Sequence, residues 1–345
     1  MMTTSSPFTH NNQSVRKVML KVQIAALPAL MTHIYLFGYG ILIQLMLATL
    51  TLIVVESLML KLRDRPVLPF ITDLSGTITI TGLVFCIPPE APWWIVVSGC
   101  AFALIFGKHL YGGLGNNPFN PAMLGYAFLL ISFPVHMTNW SLPLELSPHS
   151  LSFMESAHII FAGQLQNLAV DAYTGATPLD EVRTGLSQGI TVTQTLAQQA
   201  SLTSGLSSWA WVNIAFMLGG LWLIITRTVS WQFPVGFLGA LALMAFVFNQ
   251  INPDIYPPVS FTLLTGGTML AAFFIITDPV TASTTPRGRF IYACGIGILV
   301  YVIRNWGSFP DGIAFAILLM NIAVPLIDQY TQPRVYGHPK SRKQE

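Results

Sequence analysis

Residues 40–60 read GILIQLMLATLTLIVVESLML, an apolar run that carries a single charged side chain. A helix needs about 20 such residues to cross the hydrocarbon core of a bilayer, because each residue adds only about 1.5 Å to its length. The run is followed at once by Lys61, Arg63 and Arg65, and basic residues commonly flank the cytoplasmic end of a membrane span. This stretch therefore predicts a transmembrane helix.

The composition extends this prediction to the rest of the chain. Of the 345 residues, 53% are hydrophobic and only 9% are charged, whereas a soluble globular protein carries about 25% charged residues. The net charge of +2 is too small to indicate a nucleic-acid partner. Cys86, Cys100 and Cys294 lie far apart in apolar runs, so neither a metal site nor a disulfide framework is predicted. We therefore expect an integral membrane protein surrounded by the lipid bilayer.

Apolar runs of similar length recur along the chain and predict an all-α polytopic membrane protein with about ten transmembrane helices. They end near residues 35, 60, 88, 108, 133, 225, 248, 276, 303 and 327. Between the fifth and sixth runs lies a long polar stretch with no run that could cross a bilayer. The chain then divides into an N-terminal segment (1–19), a first membrane repeat of five spans (20–135), a long external loop (136–208), a second repeat of five spans (209–328) and a basic tail (329–345).

The basic residues lie in alternate loops, which predicts the orientation of the chain. Loops at 61–65, 108, 227 and 287–289, together with the C-terminal tail, carry most of the Lys and Arg residues that follow the N-terminal segment. With an even number of spans, both termini are then cytoplasmic and the long loop is external. We expect a bacterial inner-membrane protein whose long loop faces the periplasm.

The two halves share a weak internal repeat. Leu74-Ser75-Gly76-Thr77 interrupts the third span, and Leu264-Thr265-Gly266-Gly267-Thr268 interrupts the eighth. Phe119-Asn120-Pro121 precedes the fifth span, and Phe309-Pro310-Asp311 precedes the tenth. Each match relates a span to the one five positions later, which reverses its direction and predicts a five-plus-five inverted repeat with broken helices. The alternative is that small and polar residues merely let neighbouring helices pack closely.

Broken helices at matching positions predict a site near the centre of the membrane. Asp73 and Asp278 adjoin the two breaks, and Asn120 belongs to a glycine-rich turn over residues 112–122. These three residues are candidates for an ion site or for a non-covalently bound cofactor. Carboxylates that snorkel to the interface are the alternative for Asp73 and Asp278, and we interpret Glu56 and Lys108 as interfacial groups of that kind.

The external loop contains the sequence Asp171-Ala172-Tyr173-Thr174-Gly175-Ala176-Thr177. It resembles the acceptor motif on which a flavin transferase esterifies FMN to a hydroxyl: Asp, two free positions, Ser or Thr, Gly, Ala, and the modified Ser or Thr. The positions expected to be recognised by the transferase are filled by Asp171, Thr174, Gly175 and Ala176, and the FMN-bearing position is filled by Thr177. With FMN at Thr177, the cofactor expected among the broken helices would be a second, non-covalently bound flavin such as riboflavin.

The spacing of this motif also suits the chemistry of the transfer. A second protein must bring a bulky flavin phosphate to one hydroxyl, so we expect an exposed and pliable backbone around Thr177. Gly175 and Ala176 present little bulk there, and glycine has wide backbone freedom. Pro178 favours an extended conformation at Thr177. An ordinary surface turn is the alternative, since glycine and proline are common in loops.

With this motif, the chain resembles the family that contains the D subunits of Rnf (Rsx) electron-transport complexes and the related B subunits of sodium-pumping NADH:quinone reductases. The resemblance covers nearly the whole chain and rests on residues 112–122, 171–177, 278–289 and 305–325. It implies a fold like that of urea transporters, FMN phosphoester-linked to Thr177, and a complex of about six different subunits. It also implies that electron transfer between ferredoxin and NAD is coupled to ion movement, with no complete active site in this chain alone.

Two other functions fit part of the sequence. A small-solute channel or transporter of the urea-transporter type accounts for the repeat and the broken helices, but it has no use for a flavin acceptor at Thr177. A structural anchor for partner subunits accounts for the long loop without a cofactor. Covalent flavin at Thr177 distinguishes the redox subunit from both.

Overall fold

The computed structural model describes residues 14–113, 115–147, 150–163, 170–202, 206–309 and 311–332. Within these residues the regular structure is almost entirely helical, which confirms the predicted fold class. In chain order, the helices are α1 (Val15–Phe37), α2 (Gly40–Lys61), α3 (Val67–Ile71), α4 (Ser75–Val84), α5 (Trp93–Leu104), α6 (Pro121–Ser132), α7 (Pro134–Thr138), α8 (Phe153–Ala162), α9 (Pro178–Ser187), α10 (Val192–Leu202), α11 (Ser208–Ile225), α12 (Gln232–Ile251), α13 (Val259–Leu264), α14 (Thr268–Leu270), α15 (Pro286–Trp306) and α16 (Ile313–Thr331). Most of the predicted N-terminal segment and of the basic tail lies outside the described residues.

Six helices of the described chain are long and apolar enough to cross a membrane, namely α1, α2, α11, α12, α15 and α16. The other predicted spans are shorter or interrupted. The third consists of α3 and α4, the fourth of α5 with a π-helical turn, the fifth of α6, and the eighth of α13 and α14 with a second π-helical turn. The π-helical turns cover Ile105–His109 and Ala271–Ile275. The chain is therefore a multi-pass membrane protein.

Both predicted breaks are present, and each has a local physical cause. In the third span, Leu74 adopts a left-handed conformation with φ of 65°. The Asp73 carboxylate then accepts hydrogen bonds from the Ser75 amide (2.7 Å) and the Ser75 hydroxyl (2.6 Å) at the start of α4. In the eighth span, Gly266 has φ of 61° between α13 and α14. Both breaks thus interrupt the helical hydrogen bonds and leave backbone polar groups in the interior without helical partners, as a site built from broken helices requires.

The two ends of the helix bundle differ in charge and in what covers them. The end of α1, the start of α2 and the end of α15 lie at the face covered by the described residues between 134 and 207, which we call the segment face. At the opposite face, Arg63 donates a hydrogen bond to the His109 carbonyl (2.9 Å) and Arg289 donates one to Ser230 Oγ (2.7 Å). We call this opposite end the basic face.

Each half of the protein has a basic side chain that binds the broken span of that half. Lys108, at the end of the fourth span, donates a hydrogen bond from Nζ to Ser75 Oγ (3.0 Å). Arg304, at the end of the ninth span, donates one from Nη2 to Thr268 Oγ1 (3.0 Å). Each cation also pairs with a carboxylate. The fourth and ninth spans are five positions apart, so the two contacts follow the predicted repeat.

The halves meet where α1 packs against α11. A Cβ atom added to Gly219 would lie 2.0 Å from the Ala25 carbonyl oxygen, and one added to Gly220 would lie 2.1 Å from the Phe273 ring. Only glycine therefore permits this approach of the helices, a common use of small residues inside membranes. Ala25, Ala26 and Ala29 of α1 are all buried.

The polar segment between α6 and α11 is more ordered than a long loop. Its described residues form α7 to α10 and a two-stranded antiparallel sheet in which β1 (Trp140–Ser141) pairs with β2 (Thr174–Gly175). The region predicted as a long loop therefore contains regular structure in its described residues. Each helix is too short to span a membrane, but α8 begins with a capping box between Ser152 and Glu155 and α9 begins with Thr177 as its N-cap. Such caps stabilise short helices that the hydropathy pattern does not reveal.

Candidate functional site

Thr177 is the N-cap residue of α9. Its backbone is extended (φ −71°, ψ 158°), as Pro178 predicts. The Thr177 hydroxyl donates a hydrogen bond to Asp180 Oδ2 (2.6 Å) and accepts one from the Asp180 amide (3.3 Å). The residue is half-buried, so it is less exposed than predicted. A helix N-terminus holds the hydroxyl in place instead.

The two-stranded sheet fixes the residues that precede Thr177. Trp140 pairs with Gly175 and Ser141 pairs with Thr174. A Cβ atom on Gly175 would lie only 2.5 Å from Leu142 Cδ2, so glycine serves close packing at this position. This differs from the prediction that glycine provides backbone freedom, since Gly175 does not have a positive φ.

The other motif residues differ in how closely they approach Thr177. Ala176 is exposed, and the Thr174 hydroxyl donates a hydrogen bond to the Val170 carbonyl (3.0 Å). The Asp171 backbone belongs to a 3-10 turn over Val170–Ala172. The Asp171 side chain lies outside the described part of the chain. The motif thus forms a turn, a strand and a helix cap in succession.

Thr177 lines a cavity of about 110 Å³ that enters the bundle from the segment face, which we call the outer cavity. Residues from both halves contribute to its wall, among them His33, Phe85, Tyr126, Asn213, Gly266 and Asp311. Asn213 donates hydrogen bonds to the Leu264 carbonyl (3.1 Å) and the Gly266 carbonyl (3.0 Å) and so satisfies the broken eighth span. The predicted modification site therefore adjoins a mostly apolar space between the two halves.

A second cavity of about 160 Å³ opens at the basic face, and we call it the inner cavity. Asn120 and Asp278 both line it. Asp73 does not line it, but binds Ser75, which does. The structure thus brings the three candidate residues of the sequence analysis to the neighbourhood of one cavity, two of them directly. Asn117 also lines this cavity, and its buried Oδ1 atom has no hydrogen-bond partner among the described residues.

Asn120 connects the two halves at the inner cavity. It caps α6 by accepting a hydrogen bond from the Met123 amide (3.2 Å). Its Nδ2 atom donates to the Ile275 carbonyl (3.2 Å), and its backbone amide donates to Asn321 Oδ1 (3.2 Å). A residue with three such contacts, two of them to the second half, holds the eighth and tenth spans against the fifth.

Asp278 is fully engaged by its own loop. It accepts hydrogen bonds from the Val280 amide (3.2 Å) and the Thr281 hydroxyl (2.9 Å). Burial raises the pKa of the Asp278 carboxyl, and these two hydrogen bonds oppose that shift. A partly desolvated carboxylate beside a cavity can attract a cation or a proton.

Glu56 and Lys108 are not interfacial groups, so that interpretation is wrong. They are 1% and 3% exposed, and Lys108 Nζ lies 2.5 Å from Glu56 Oε1. The nearby His109 Nε2 atom is 3.9 Å from the same oxygen. Each residue is close to the end of its apolar run in the sequence, but the fourth span continues as a π-helical turn and carries Lys108 inward to α2. Lys108 also lines the inner cavity.

A thin apolar wall separates the two cavities. Phe85, Leu270 and Ile275 line both of them. Phe85 is 8% exposed, and Leu270 and Ile275 are each 4% exposed. The cavities therefore approach each other from opposite faces and end at the same side chains.

Comparison with known proteins assigns this architecture to a family. Residues 2–337 match the NQR2, RnfD, RnfE family. The chain belongs to this family. The resemblance inferred from the sequence motifs is thereby confirmed.

Several members of the family are close relatives over nearly their whole length. The chain is 48% identical to a protein of Aliivibrio salmonicida, with 98% of each chain covered, and 49% identical to one of Yersinia enterocolitica, with 99% of this chain and 100% of the relative covered. It is 50% identical to a protein of Pectobacterium atrosepticum, with 97% and 98% covered. All three relatives are named as D subunits of ion-translocating oxidoreductase complexes.

Sequence reasoning missed four polar residues of this family member. Asp180 binds the Thr177 hydroxyl, and the pattern Thr-x-x-Asp before a helix is a capping signal that could have revealed it. Asn117 faces the inner cavity from within the glycine-rich turn. Glu90 and Arg183 are partly or fully buried at the segment face, and no local pattern marks either of them.

Proposed function

We propose that this chain is a membrane subunit of an ion-translocating oxidoreductase complex and carries electrons on FMN covalently linked to Thr177. The complex would couple electron transfer between ferredoxin and NAD to ion movement across a bacterial inner membrane, with the segment face towards the periplasm. The names of the relatives support the complex and its redox role. The position of Thr177, at a helix N-terminus beside a cavity between the halves, is the observation that carries the flavin proposal.

The surroundings of Thr177 fit the attachment of a flavin phosphate. In the transfer, Thr177 Oγ bonds to the phosphorus of an activated donor, FMN joined to a nucleotide through a pyrophosphate, and the bond from that phosphorus to the bridging oxygen breaks. The nucleotide monophosphate leaves. The hydroxyl proton passes to a carboxylate, and Asp180 Oδ2 already accepts that hydrogen at 2.6 Å. A flavin transferase would supply the donor and the remaining groups.

After the transfer, the phosphodiester would lie at the start of α9, where Leu179 is the first residue with an N–H, since Pro178 has none and the Asp180 amide already donates to Thr177 Oγ1. Helix N-termini bind anions because their first N–H groups have no helical partner and the helix dipole favours negative charge. Asp180 loses the hydroxyl it bound, and its carboxylate then lies near the new negative charge. When bound, the isoalloxazine ring accepts electrons singly or in pairs, and the protein sets its position and potential. The covalent tether keeps the ring at the segment face at a high local concentration.

The inner cavity is our candidate for the second, non-covalent flavin or for the translocated ion. Asn117 Oδ1 is a buried acceptor without a partner among the described residues, so a ligand that donates a hydrogen bond there would satisfy it. Lys108, Asn120 and Asp278 place further polar groups on the same wall. A flavin ring, which has both polar edges and apolar faces, suits such a lining. A bound cation would instead be drawn to Asp278.

In-gel flavin fluorescence tests the central proposal. The protein is purified from a host with an active flavin transferase, denatured in detergent, separated and illuminated with ultraviolet light. We expect a fluorescent wild-type band, a dark band for Thr177→Ala and a fluorescent band for Thr177→Ser, because serine keeps the hydroxyl. Thr174→Val is expected to weaken the band by impairing recognition. A dark wild-type band would refute covalent flavin at Thr177.

Solute transport is the second candidate, and the two opposed cavities favour it. A path between them would pass Phe85, Leu270 and Ile275, which close it in this structure. Solute flux into proteoliposomes that contain the purified chain distinguishes the functions. Flux of a small neutral solute, unaffected by Thr177→Ala and accompanied by a dark band in the gel, would favour a channel. If the chain carries no flavin and supports no flux, and its removal only prevents assembly of the partner subunits, the chain is a structural anchor.

A further inference from the structure

A third cleft, of about 350 Å³, lies at the segment face beside the outer cavity, and Leu179 lines both spaces. It opens between α9, the turn before α13 and the end of α15. Its wall combines two arginines with aromatic and apolar side chains, namely Arg183, Arg304, Tyr256, Phe261, Trp306 and Leu186. We call it the arginine cleft. Cationic and aromatic groups together are typical of sites at the level of lipid headgroups.

Arg304 is already satisfied by protein groups. It donates hydrogen bonds to Thr268 Oγ1 and to the Thr262 carbonyl, each at 3.0 Å, and pairs with Asp311 Oδ1 at 3.1 Å. Its guanidinium is therefore neutralised and fully used. Arg304 supports the cleft and the broken eighth span, and does not supply a free donor.

Arg183 differs from Arg304 in having unused capacity. Its Nη2 atom donates to the Gly307 carbonyl, while its Nη1 atom is buried and has no partner within the described part of the chain. The acidic residues beside it in sequence are engaged elsewhere, since Asp180 binds Thr177 and Glu181 binds Gln199. A buried N–H of a charged group without an acceptor is costly, and the cost is removed when an anion binds.

Arg183 differs from Arg289 in the position of its unused donor relative to the cavities. Arg289 also has a buried nitrogen without a partner in the described ranges, its Nε. However, its guanidinium contacts the Phe233 ring at 5.8 Å, and it does not line the outer cavity, the inner cavity or the arginine cleft. Of these two arginines, Arg183 is therefore the one that has both a donor without a partner in the described ranges and a place on the wall of an open cleft.

We propose that the arginine cleft binds a phosphoryl anion through Arg183, with Tyr256 and Trp306 flanking the bound group. A guanidinium matches phosphate oxygens in charge and geometry. Two sources supply this chemistry at the segment face: the headgroup of an anionic phospholipid and free inorganic phosphate. The open, partly apolar wall also suits the glycerol and first methylene groups of a lipid.

Native mass spectrometry of the purified full-length protein tests the proposal. Wild type is titrated with phosphatidylglycerol and with a diacylglycerol that has the same acyl chains but no phosphoryl group. Inorganic phosphate is added as a competitor in a separate series. We expect phosphatidylglycerol to bind and diacylglycerol not to bind. Displacement by millimolar phosphate would identify a site for the phosphoryl group alone, and resistance to it would identify the lipid as the ligand.

Variants separate a specific site from general attraction to lipid. Arg183→Gln is expected to weaken binding by about tenfold or more, the effect of losing one charge-assisted hydrogen bond. The matched control Arg289→Gln is expected to leave binding unchanged. If Arg183→Gln reduces the yield of folded protein, Trp306→Leu keeps the Arg183 contact to Gly307 and removes a wall of the cleft, with a several-fold loss expected. Equal affinities of wild type and Arg183→Gln, or equal losses in both arginine variants, would overturn the proposal.

Discussion

Replacement of Glu90 by glutamine is expected to stabilise the protein at alkaline pH and to remove much of the pH dependence of its stability. Glu90 lies in the loop between α4 and α5 and is 7% exposed. Its Oε1 atom accepts a hydrogen bond from Ser156 Oγ of α8 (3.1 Å), and its Oε2 atom has no partner among the described residues. A Cβ atom on Gly40 would lie 1.9 Å from Oε2, so the carboxyl is held tightly between α2 and α8.

The magnitude follows from the pKa of this carboxyl. Burial raises the pKa of Glu90 from its ordinary value of 4.5 to about 7, and the Ser156 hydrogen bond only partly opposes this. The folded protein therefore binds the proton more tightly than the unfolded chain, so stability is greatest below about pH 4.5 and falls as pH rises through about 7. The difference between the two pKa values corresponds to about 3 kcal/mol at pH 8. Tyr173 shares the site, and its phenol is neutral over this range because burial and Glu90 both raise its pKa.

Thermal unfolding in lipid nanodiscs between pH 5 and pH 8 measures this effect, with hydrogen exchange of α8 as a local probe. Wild type is expected to lose stability, and α8 to lose protection, as pH rises. Glu90→Gln is expected to show a flatter profile, because glutamine keeps the acceptor for Ser156 without a titrating charge. Glu181→Gln, which removes a carboxylate of α9, controls for a change in net charge. A Glu90→Gln profile as steep as that of wild type would refute the reasoning.

Two further substitutions test packing inside the bundle and beneath the motif. Lys108→Met leaves Glu56 charged and without its partner in the interior, so we expect a loss of about 3–5 kcal/mol in unfolding free energy. The double variant Glu56→Met/Lys108→Met should recover most of it in a thermal-unfolding cycle, and additive losses would contradict a direct pair. Gly175→Val places side-chain atoms against Leu142 and is expected to cost about 1–3 kcal/mol and to reduce flavin fluorescence in the gel. Leu142→Ala in the same chain should restore both the stability and the fluorescence. An undiminished band for Gly175→Val alone would count against the two-stranded sheet as the support of the motif.

The spans and breaks of this fold are predictable because they depend on local composition. An apolar run such as residues 40–60 must form a helix in lipid, where every backbone polar group needs a partner within the segment. The breaks at Leu74 and Gly266 are marked in sequence by small and polar residues inside apolar runs. Neither feature requires knowledge of the neighbouring spans.

Contacts between distant spans are not predictable in this way. Glu56 and Lys108 are 52 positions apart, and their pairing depends on how α2 packs against the fourth span. Sequence position alone puts both near helix ends, where an interfacial charge is the ordinary explanation. The hydrogen bond from Arg183 Nη2 likewise depends on Gly307, 124 positions away.

The candidate site of covalent modification is predictable from the sequence only in part. Thr177 and its motif are recognisable by spacing alone, since the motif residues are consecutive. The half-buried, capped state of Thr177 cannot be recognised from the sequence in this way, because α9 is short and polar and its hydropathy predicts a loop. The Thr-Pro-Leu-Asp sequence at residues 177–180 contains the capping signal, but such signals are common and decide little without a following apolar pattern.

The glycine contact between α1 and α11 also constrains the order in which the chain can be assembled during synthesis. Gly219 follows Ala25 by 194 residues. At about 5–20 residues per second, the ribosome needs about 10–40 s to make that length of chain. Throughout this interval the first half resides in the bilayer with the alanine stripe of α1 facing lipid or a temporary partner. A ribosome that stalls within the polar segment would therefore release a chain with an incomplete interior, and membrane quality control would have a defined surface to recognise.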